Sequence, residues 1–182
     1  MKHLWIDLDG VVVNLVDRLA EVHGVEARYP TWPATYDLRV PLGKTKDEIW
    51  EHPSVRGSEF WATLPKHDWA DDLVAMLVRE FGVDRVSFLS QTVNDPWCAA
   101  GKLRWVAEHF PDIPALVGHD KHLVGAPGHV LLDDYEENER LWRGRGGVAV
   151  LFPAPWNRLR GHPDPVGLVE RQIRERRREA ED

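Results

Sequence analysis

Two aspartates near the start of the chain have the spacing needed for phosphoryl chemistry. Asp7 and Asp9 follow an apolar run and precede Gly10. Alternate side chains of a strand share a face, so the two carboxylates project together, and the glycine lets the chain turn sharply. A carboxylate beside Mg2+ can attack phosphorus, and a second acid can protonate the leaving oxygen. The pair predicts a phosphatase, although an Asp-Gly turn with a capping aspartate explains it without chemistry.

Further polar residues fall at the ends of other predicted strands. Ser90 to Thr92 follow the second strand, Lys121 follows the third, and Asp133 and Asp134 end the fourth. The carboxyl ends of parallel strands meet at one edge of a sheet, where catalytic groups gather. Together with the first pair, these residues supply a nucleophile, an acid, a hydroxyl, a cation and metal carboxylates, which are the groups that phosphoryl transfer requires.

Hydrophobic periodicity predicts the elements that position these groups. After the N-terminal strand, strands are expected at 86–89, 115–117, 129–132 and 148–152. Helices are expected at 14–26, 44–50, 55–61, 68–81 (with Asp68 as a cap), 96–110, 136–143 and 170–182, and a loop at 29–42. Because strands and helices alternate, we predict an α/β fold with a doubly wound parallel sheet.

Composition limits the class of protein. The 182 residues fit one domain, or one domain with an insertion, and contain 43% hydrophobic and 29% charged residues. The net charge of −7 argues against a stable nucleic-acid partner, because such binding depends on Lys and Arg. Cys98 is the single cysteine, so no internal disulfide can form. With no apolar run of membrane-spanning length and no signal sequence, we expect a cytoplasmic protein without a membrane partner.

The order of the motifs resembles the haloacid dehalogenase superfamily of phosphatases, and within it the cytosolic 5'(3')-deoxyribonucleotidase family. The similarity extends over nearly the whole chain. The segments that carry it are Asp7-Leu8-Asp9-Gly10-Val11, Leu89-Ser90-Gln91-Thr92, Cys98 with Gly101-Lys102-Leu103-Arg104-Trp105-Val106, Asp120-Lys121, Leu131-Leu132-Asp133-Asp134 and Val150-Leu151-Phe152 leading to Pro155-Trp156-Asn157.

This resemblance implies roles for the acidic residues. Asp7 would be the nucleophile, and Asp9 would be the general acid and base. Asp7, the main-chain oxygen of Asp9 and the Asp134 carboxylate would hold Mg2+, with Asp133 supporting the metal site. The expected cofactor is therefore Mg2+.

The resemblance also implies a division of the chain and a phosphate site. Residues 1–13 and 66–182 would form a Rossmann-like catalytic core, and residues 14–65 a small helical cap. Ser90 and Lys121 would bind the phosphoryl group, together with the adjacent Gln91. The family usually has Thr-Ser-Pro where this chain has Ser90-Gln91-Thr92, so base recognition is expected to differ.

Three residues of the predicted cap are candidates for contact with the substrate: Leu15, Trp32 and Tyr36. Leu15 stands where an aromatic residue of the family often packs on the base. Trp32 and Tyr36 could instead fill the core of a small cap, but aromatic rings also suit a half-open pocket.

The function expected from these observations is Mg2+-dependent removal of phosphate from nucleoside monophosphates, with deoxyribonucleotides preferred. One alternative is a phosphatase for another small phosphate ester or a nucleic-acid 3'-phosphate. Another is a catalytically silent nucleotide-binding module. The expected partner is a small nucleotide, and a homodimer is possible.

Overall fold

The fold is built on a five-stranded parallel sheet. The structure, a computed structural model, describes residues 1–93 and 95–179. The strands are β1 (His3–Ile6), β2 (Val86–Gln91), β3 (Ala115–Gly118), β4 (His129–Asp133) and β5 (Val148–Leu151). Their spatial order is β3-β2-β1-β4-β5, and every neighbouring pair is parallel. The predicted doubly wound α/β fold is confirmed.

Strand β1 occupies the centre of the sheet. Its residues Leu4 and Ile6 are fully buried, as is typical of parallel strands covered on both faces. Ile6 pairs with Phe88 of β2 and with Leu132 of β4. This register brings the segments that follow β1, β2 and β4 to the same edge of the sheet.

Four short helices lie between β1 and β2 in what we call the inserted segment, residues 14–65. They are α1 (Leu15–His23), α2 (Arg39–Leu42), α3 (Lys46–Trp50) and α4 (Ser58–Ala62). The chain leaves and re-enters the rest of the molecule at one point, where the Asn14 N–H donates to the Pro65 carbonyl at 2.8 Å. The role of this segment as a cap stays a prediction.

Four further helices follow in the described part of the chain. They are α5 (Ala70–Phe81), α6 (Pro96–His109), α7 (Glu136–Gly144) and α8 (Pro165–Glu179). Short 3-10 turns follow α5 at Val83–Arg85 and β3 at Lys121–Val124. Among the described residues, no helix combines the length and the apolar character needed to cross a bilayer.

Two predicted helix boundaries are wrong for local reasons. The first helix ends at His23 and not at residue 26, because Gly24 adopts a left-handed conformation and its N–H bonds to the carbonyl of Ala20. Asp68 does not cap α5, since Trp69 occupies the cap position and no side chain bonds to the helix end.

Tertiary contacts explain why other strands and helices begin or end at residues different from those predicted. Strand β2 continues to Gln91 because its backbone pairs with β3 as far as Gly118. The predicted loop at 29–42 contains the one-turn helix α2. Helix α8 begins at Pro165, ahead of the predicted residue 170, and buries Val169. The predicted helix positions 180–182 lie outside the described residues.

Candidate active site

Three buried carboxylates lie together at the carboxyl edge of the sheet. Asp7 directly follows β1, Asp133 ends β4, and Asp134 comes next in the chain. One carboxylate oxygen from each lies within 4.8 Å of the others. The β1–β4 register explains this meeting, because Ile6 and Leu132 pair immediately before the acids.

Lys121 joins two of these carboxylates. Its Nζ lies 2.6 Å from Asp7 Oδ1 and 2.7 Å from Asp133 Oδ2. Burial raises the pKa of Asp7 to about 7, against the lowering effect of Lys121 and with further raising by Asp133 and Asp9. Burial disfavours the Lys121 ammonium, but Asp133 and Asp7 outweigh it and raise the pKa of this lysine.

Neighbouring donors also hold Asp133 and Asp134. The Asn138 Nδ2 lies 3.1 Å from both oxygens of Asp133, and the Tyr135 N–H donates to Asp133 Oδ1 at 2.9 Å. The Trp156 Nε1–H donates to Asp134 Oδ2 at 3.0 Å. Burial, followed by the repulsion from Asp133 and Asp7, raises the pKa of Asp134.

Lys102, to which sequence analysis assigns no role, forms a second polar centre. Its Nζ donates to the Asp9 carboxylate, to Ser90 Oγ at 2.9 Å and to the Gln91 carbonyl at 2.6 Å. Lys102 is buried on α6, eleven residues beyond Gln91 at the end of β2. In the sequence, the segment Gly101-Lys102-Leu103-Arg104-Trp105-Val106 was the feature that could have indicated Lys102. Only the tertiary structure shows that the Lys102 amine reaches Asp9.

A cavity of about 280 Å³ opens above these groups, between the inserted segment and the sheet edge. The predicted site residues that line it are Asp9, Leu15, Trp32, Tyr36, Gln91 and Asp134. Asp7, Ser90, Lys121 and Asp133 are buried and are absent from its lining. Trp50, Trp61, Lys102 and Trp156 also line the cavity and were not predicted as site residues.

Two predicted contact residues have additional local features. The Gln91 side-chain amide donates to the His119 carbonyl, so this side chain is held at the wall of the cavity. Trp32 is buried, and its Nε1 has no hydrogen-bond partner among the described residues. An indole N–H in this situation is suited to a ligand oxygen.

The acidic cluster fits a hard divalent cation. Asp7, Asp133 and Asp134 offer carboxylate oxygens, which Mg2+ prefers, and Lys121 contacts two of these acids. Three buried acids close together are unfavourable unless positive charge or protons compensate them. An additional cation would supply that compensation.

Comparison with known proteins places the chain in a family. The family model described as "5' nucleotidase, deoxy (Pyrimidine), cytosolic type C protein" matches residues 2–162. The chain belongs to this family. It is a hydrolase, and a phosphatase of the nucleotidase type. A search of curated protein sequences found no match.

Solved structures share the fold of this nucleotidase-family protein. A haloacid dehalogenase-like hydrolase from Streptococcus pneumoniae has 12% identity and a TM-score of 0.56, with 97% of this chain and 98% of that chain covered. A haloacid dehalogenase-family hydrolase from Deinococcus radiodurans, solved with phosphate and sodium, has 16% identity and a TM-score of 0.50, with coverages of 94% and 87%. The CbbY protein from Rhodobacter sphaeroides, in complex with phosphate, has 14% identity and a TM-score of 0.50, with coverages of 92% and 91%.

Proposed function

We propose that this nucleotidase-family protein removes phosphate from nucleoside monophosphates, preferably deoxyribonucleotides, through a phosphoryl group carried on Asp7. The observation that carries the proposal is the position of Asp7, which is buried beside Lys121 and Asp134 at the edge of the sheet. This arrangement holds a carboxylate nucleophile next to a cation and to further oxygen ligands. The pairing suits attack on phosphorus, where negative charge must be neutralised.

Asp9 is the proposed proton donor and acceptor. In the first step an Asp7 oxygen bonds to phosphorus, the bond from phosphorus to the ester oxygen breaks, and protonated Asp9 gives its proton to the leaving oxygen. In the second step Asp9 takes a proton from water as the water oxygen attacks phosphorus. The bond between Asp7 and phosphorus then breaks, releasing inorganic phosphate and restoring Asp7.

Two buried lysines support these steps. Lys121 contacts the nucleophile itself, so it holds Asp7 in place and counters the charge that gathers around it. Lys102 contacts both Asp9 and Ser90, and its ammonium and the Ser90 hydroxyl form the proposed cradle for the phosphoryl oxygens. Ser90 and Gln91 belong to this cradle as residues at the end of β2.

Mg2+ is the proposed cofactor. Asp7, Asp134 and the main-chain oxygen of Asp9 would hold it, and Asp133 would support the site. Once bound, the ion would neutralise negative charge on the phosphate and help to orient it. The carboxylate cluster supports this choice, since zinc usually takes nitrogen or sulfur ligands.

The cavity supports a nucleotide as the substrate. Its lining combines Asp9, Lys102 and Asp134 at one side with Trp32 and Tyr36 from the inserted segment. Polar groups can face the phosphate while the aromatic rings face the base or sugar. We propose that the inserted segment acts as a cap over the substrate.

Family membership supports two further proposals. The family description is of a cytosolic protein, and we propose that this enzyme acts in the cytoplasm. A homodimer stays a prediction, to be measured by light scattering of the purified protein.

A phosphatase assay with metal-depleted protein tests the proposed function. We expect hydrolysis of deoxyribonucleoside monophosphates that needs added Mg2+, and a loss of about 10³-fold or more for Asp7→Asn, because an amide cannot attack phosphorus. Nucleoside 5'- and 3'-monophosphates, a 3'-phosphorylated oligonucleotide and an aryl phosphate should be compared. Faster turnover of the oligonucleotide than of the nucleoside monophosphates would contradict the proposed substrate, and nucleotide binding without turnover would indicate a silent binding module.

Asp134→Asn tests the metal site separately. We expect this variant to unfold at a higher temperature than the unmutated protein without Mg2+, because a buried acid that repels Asp133 and Asp7 becomes neutral. We also expect Mg2+ to raise the melting temperature of the unmutated protein but not of the variant. An equal Mg2+ effect on both proteins would exclude Asp134 as a ligand.

A further inference from the structure

Trp156 and Asn157 hold Asp134 from the loop that follows β5. The Trp156 Nε1–H donates to Asp134 Oδ2 at 3.0 Å, and the Asn157 Nδ2 donates to the Asp134 main-chain oxygen at 2.8 Å. Asn157 is itself fixed by a 2.8 Å bond to the Phe152 carbonyl. The carboxylate and the backbone of the proposed metal ligand are therefore both held by this loop.

Gly10, in the turn after β1, lies against the Asp134 carboxylate and the Trp156 indole. A Cβ atom at this position would lie 2.0 Å from Asp134 Oδ2 and 2.9 Å from Trp156 Cζ2. The carboxylate and the indole ring thus pack directly on the glycine backbone, which has a φ of 79°. The indole has little room to move towards the turn without a clash.

Tyr36 of the inserted segment contacts both neighbours of Asp134. Its ring is stacked on Tyr135 with centroids 3.8 Å apart, and it forms a T-shaped pair with the Trp156 ring, with centroids 6.3 Å apart. Tyr135 follows Asp134 in the chain, and Trp156 is hydrogen-bonded to it. The inserted segment therefore reaches the proposed metal ligand through two aromatic contacts.

We propose that Trp156 is a positioning residue for Asp134 and that Tyr36 holds the indole in its hydrogen-bonding position. Docking of the inserted segment then orders the metal site at the same time as it covers the cavity. The inference rests on the proposed function, because it takes Asp134 as a Mg2+ ligand. Its physical basis is that a carboxylate rotates about its terminal bond, so a donor on one oxygen fixes the direction of the other.

Direct Mg2+ binding to the metal-depleted protein, measured by titration calorimetry, tests the role of Trp156. We expect Trp156→Phe to weaken Mg2+ binding about 10- to 100-fold, because it keeps an aromatic ring but removes the donor to Asp134. Trp156→His should restore much of the affinity, because the imidazole Nε2 lies the same number of bonds from Cα as the indole Nε1. Circular dichroism and thermal melting check that both variants are folded.

A double-mutant cycle tests the contact with the inserted segment. Tyr36→Ala should weaken Mg2+ binding in the unmutated background and have a much smaller effect in the Trp156→Phe background. Leu38→Ala is the matched control, because Leu38 also lies in the inserted segment and lines the same cavity. We expect this control to leave Mg2+ affinity unchanged.

The outcomes separate this inference from the proposed function. Unchanged Mg2+ affinity in folded Trp156→Phe would overturn the positioning role while leaving the phosphatase proposal intact. Equal effects of Tyr36→Ala in both backgrounds would overturn the coupling to the inserted segment. If the unmutated protein binds no Mg2+, the proposed metal site fails, and this inference fails with it.

Discussion

His67 is a buried titratable residue at the junction between the inserted segment and α5. Its ring is stacked on Trp69 at 4.3 Å and lies 4.8 Å from the ring of Tyr29. The Nε2 atom has no hydrogen-bond partner among the described residues. Burial lowers the pKa of His67 to about 4, so the native protein holds this ring neutral at pH 7.

We predict that His67 makes the protein less stable in mild acid. In the unfolded chain a histidine takes up a proton near pH 6.5, whereas folded His67 stays neutral until about pH 4. The unfolded state therefore binds more protons between these values, and stability present above pH 6.5 is lost as the pH falls. The loss from this residue should be about 2 kcal/mol between about pH 7.5 and about pH 5.

The comparison with His67→Phe isolates this contribution, because phenylalanine keeps a flat ring and cannot titrate. Denaturant unfolding at both pH values gives four free energies of unfolding, and their double difference removes the contribution of the other histidines. A pH dependence in the variant equal to that of the unmutated protein would refute the prediction.

Individual residues differ in how far sequence alone could predict their surroundings. Strand β1 ends at Ile6, so the strand alternation expected for Asp7 and Asp9 does not extend to them. The strand-end positions, by contrast, indicated that Lys121 and Asp134 would lie near Asp7. Lys102 carried no comparable signal, because its place on α6 does not show which way its long side chain extends. Its contacts with Asp9 depend on how α6 packs in three dimensions.

At the level of elements, the packing of α6 on α4 positions Lys102. Gly101 lies at this contact, where a Cβ atom would come within 2.4 Å of the Ser58 carbonyl and 2.5 Å of Trp61 Cβ. The glycine lets two helices approach more closely than any side chain would allow. The next residue, Lys102, is thereby held beside Asp9 and Ser90.

We predict that Gly101→Ala separates these helices and displaces Lys102. Overpacking of this kind should lower the free energy of unfolding by about 1 to 3 kcal/mol and reduce kcat for an aryl phosphate. The control is Gly144→Ala in α7, where a Cβ atom would meet no atom within 4 Å. That substitution should change stability by less than about 1 kcal/mol. Equal stability of the two variants would show that the contact between α4 and α6 can relax.

The types of the elements were more predictable than their ends. Hydrophobic runs and helical spacing were sufficient for the five strands and the main helices, because burial imposes those patterns. The extension of β2 to Gln91 instead depends on pairing with β3, a partner remote in sequence. Helix α8 begins earlier than predicted, and its residue Val169 is buried. Local periodicity does not show that this part of the chain packs against the rest of the protein.

At the scale of the whole molecule, the sheet edge and the inserted segment contribute different parts of the cavity. The sheet edge presents Asp9 and Asp134, whereas the inserted segment presents Trp32 and Tyr36. Asp9 and Asp134 lie where the phosphate would bind, and every phosphate monoester carries that group. We therefore expect selection among nucleotides to come from residues of the inserted segment, such as Trp32 and Tyr36, and from Gln91, which is held at the cavity wall.

We predict that Trp32→Ala, Tyr36→Ala and Gln91→Ala change nucleotide preference more than they change hydrolysis of an aryl phosphate. The measurement is kcat/KM for several nucleoside monophosphates and for the aryl ester, at saturating Mg2+ so that altered metal affinity does not contribute. Loss of a selective pocket contact should change the nucleotide ratios by about 1 to 3 kcal/mol. Trp97→Ala is the matched control, because this tryptophan is 58% exposed and does not line the cavity. Equal losses on every substrate in all three variants would mean that these residues support the fold of the inserted segment and do not recognise the base.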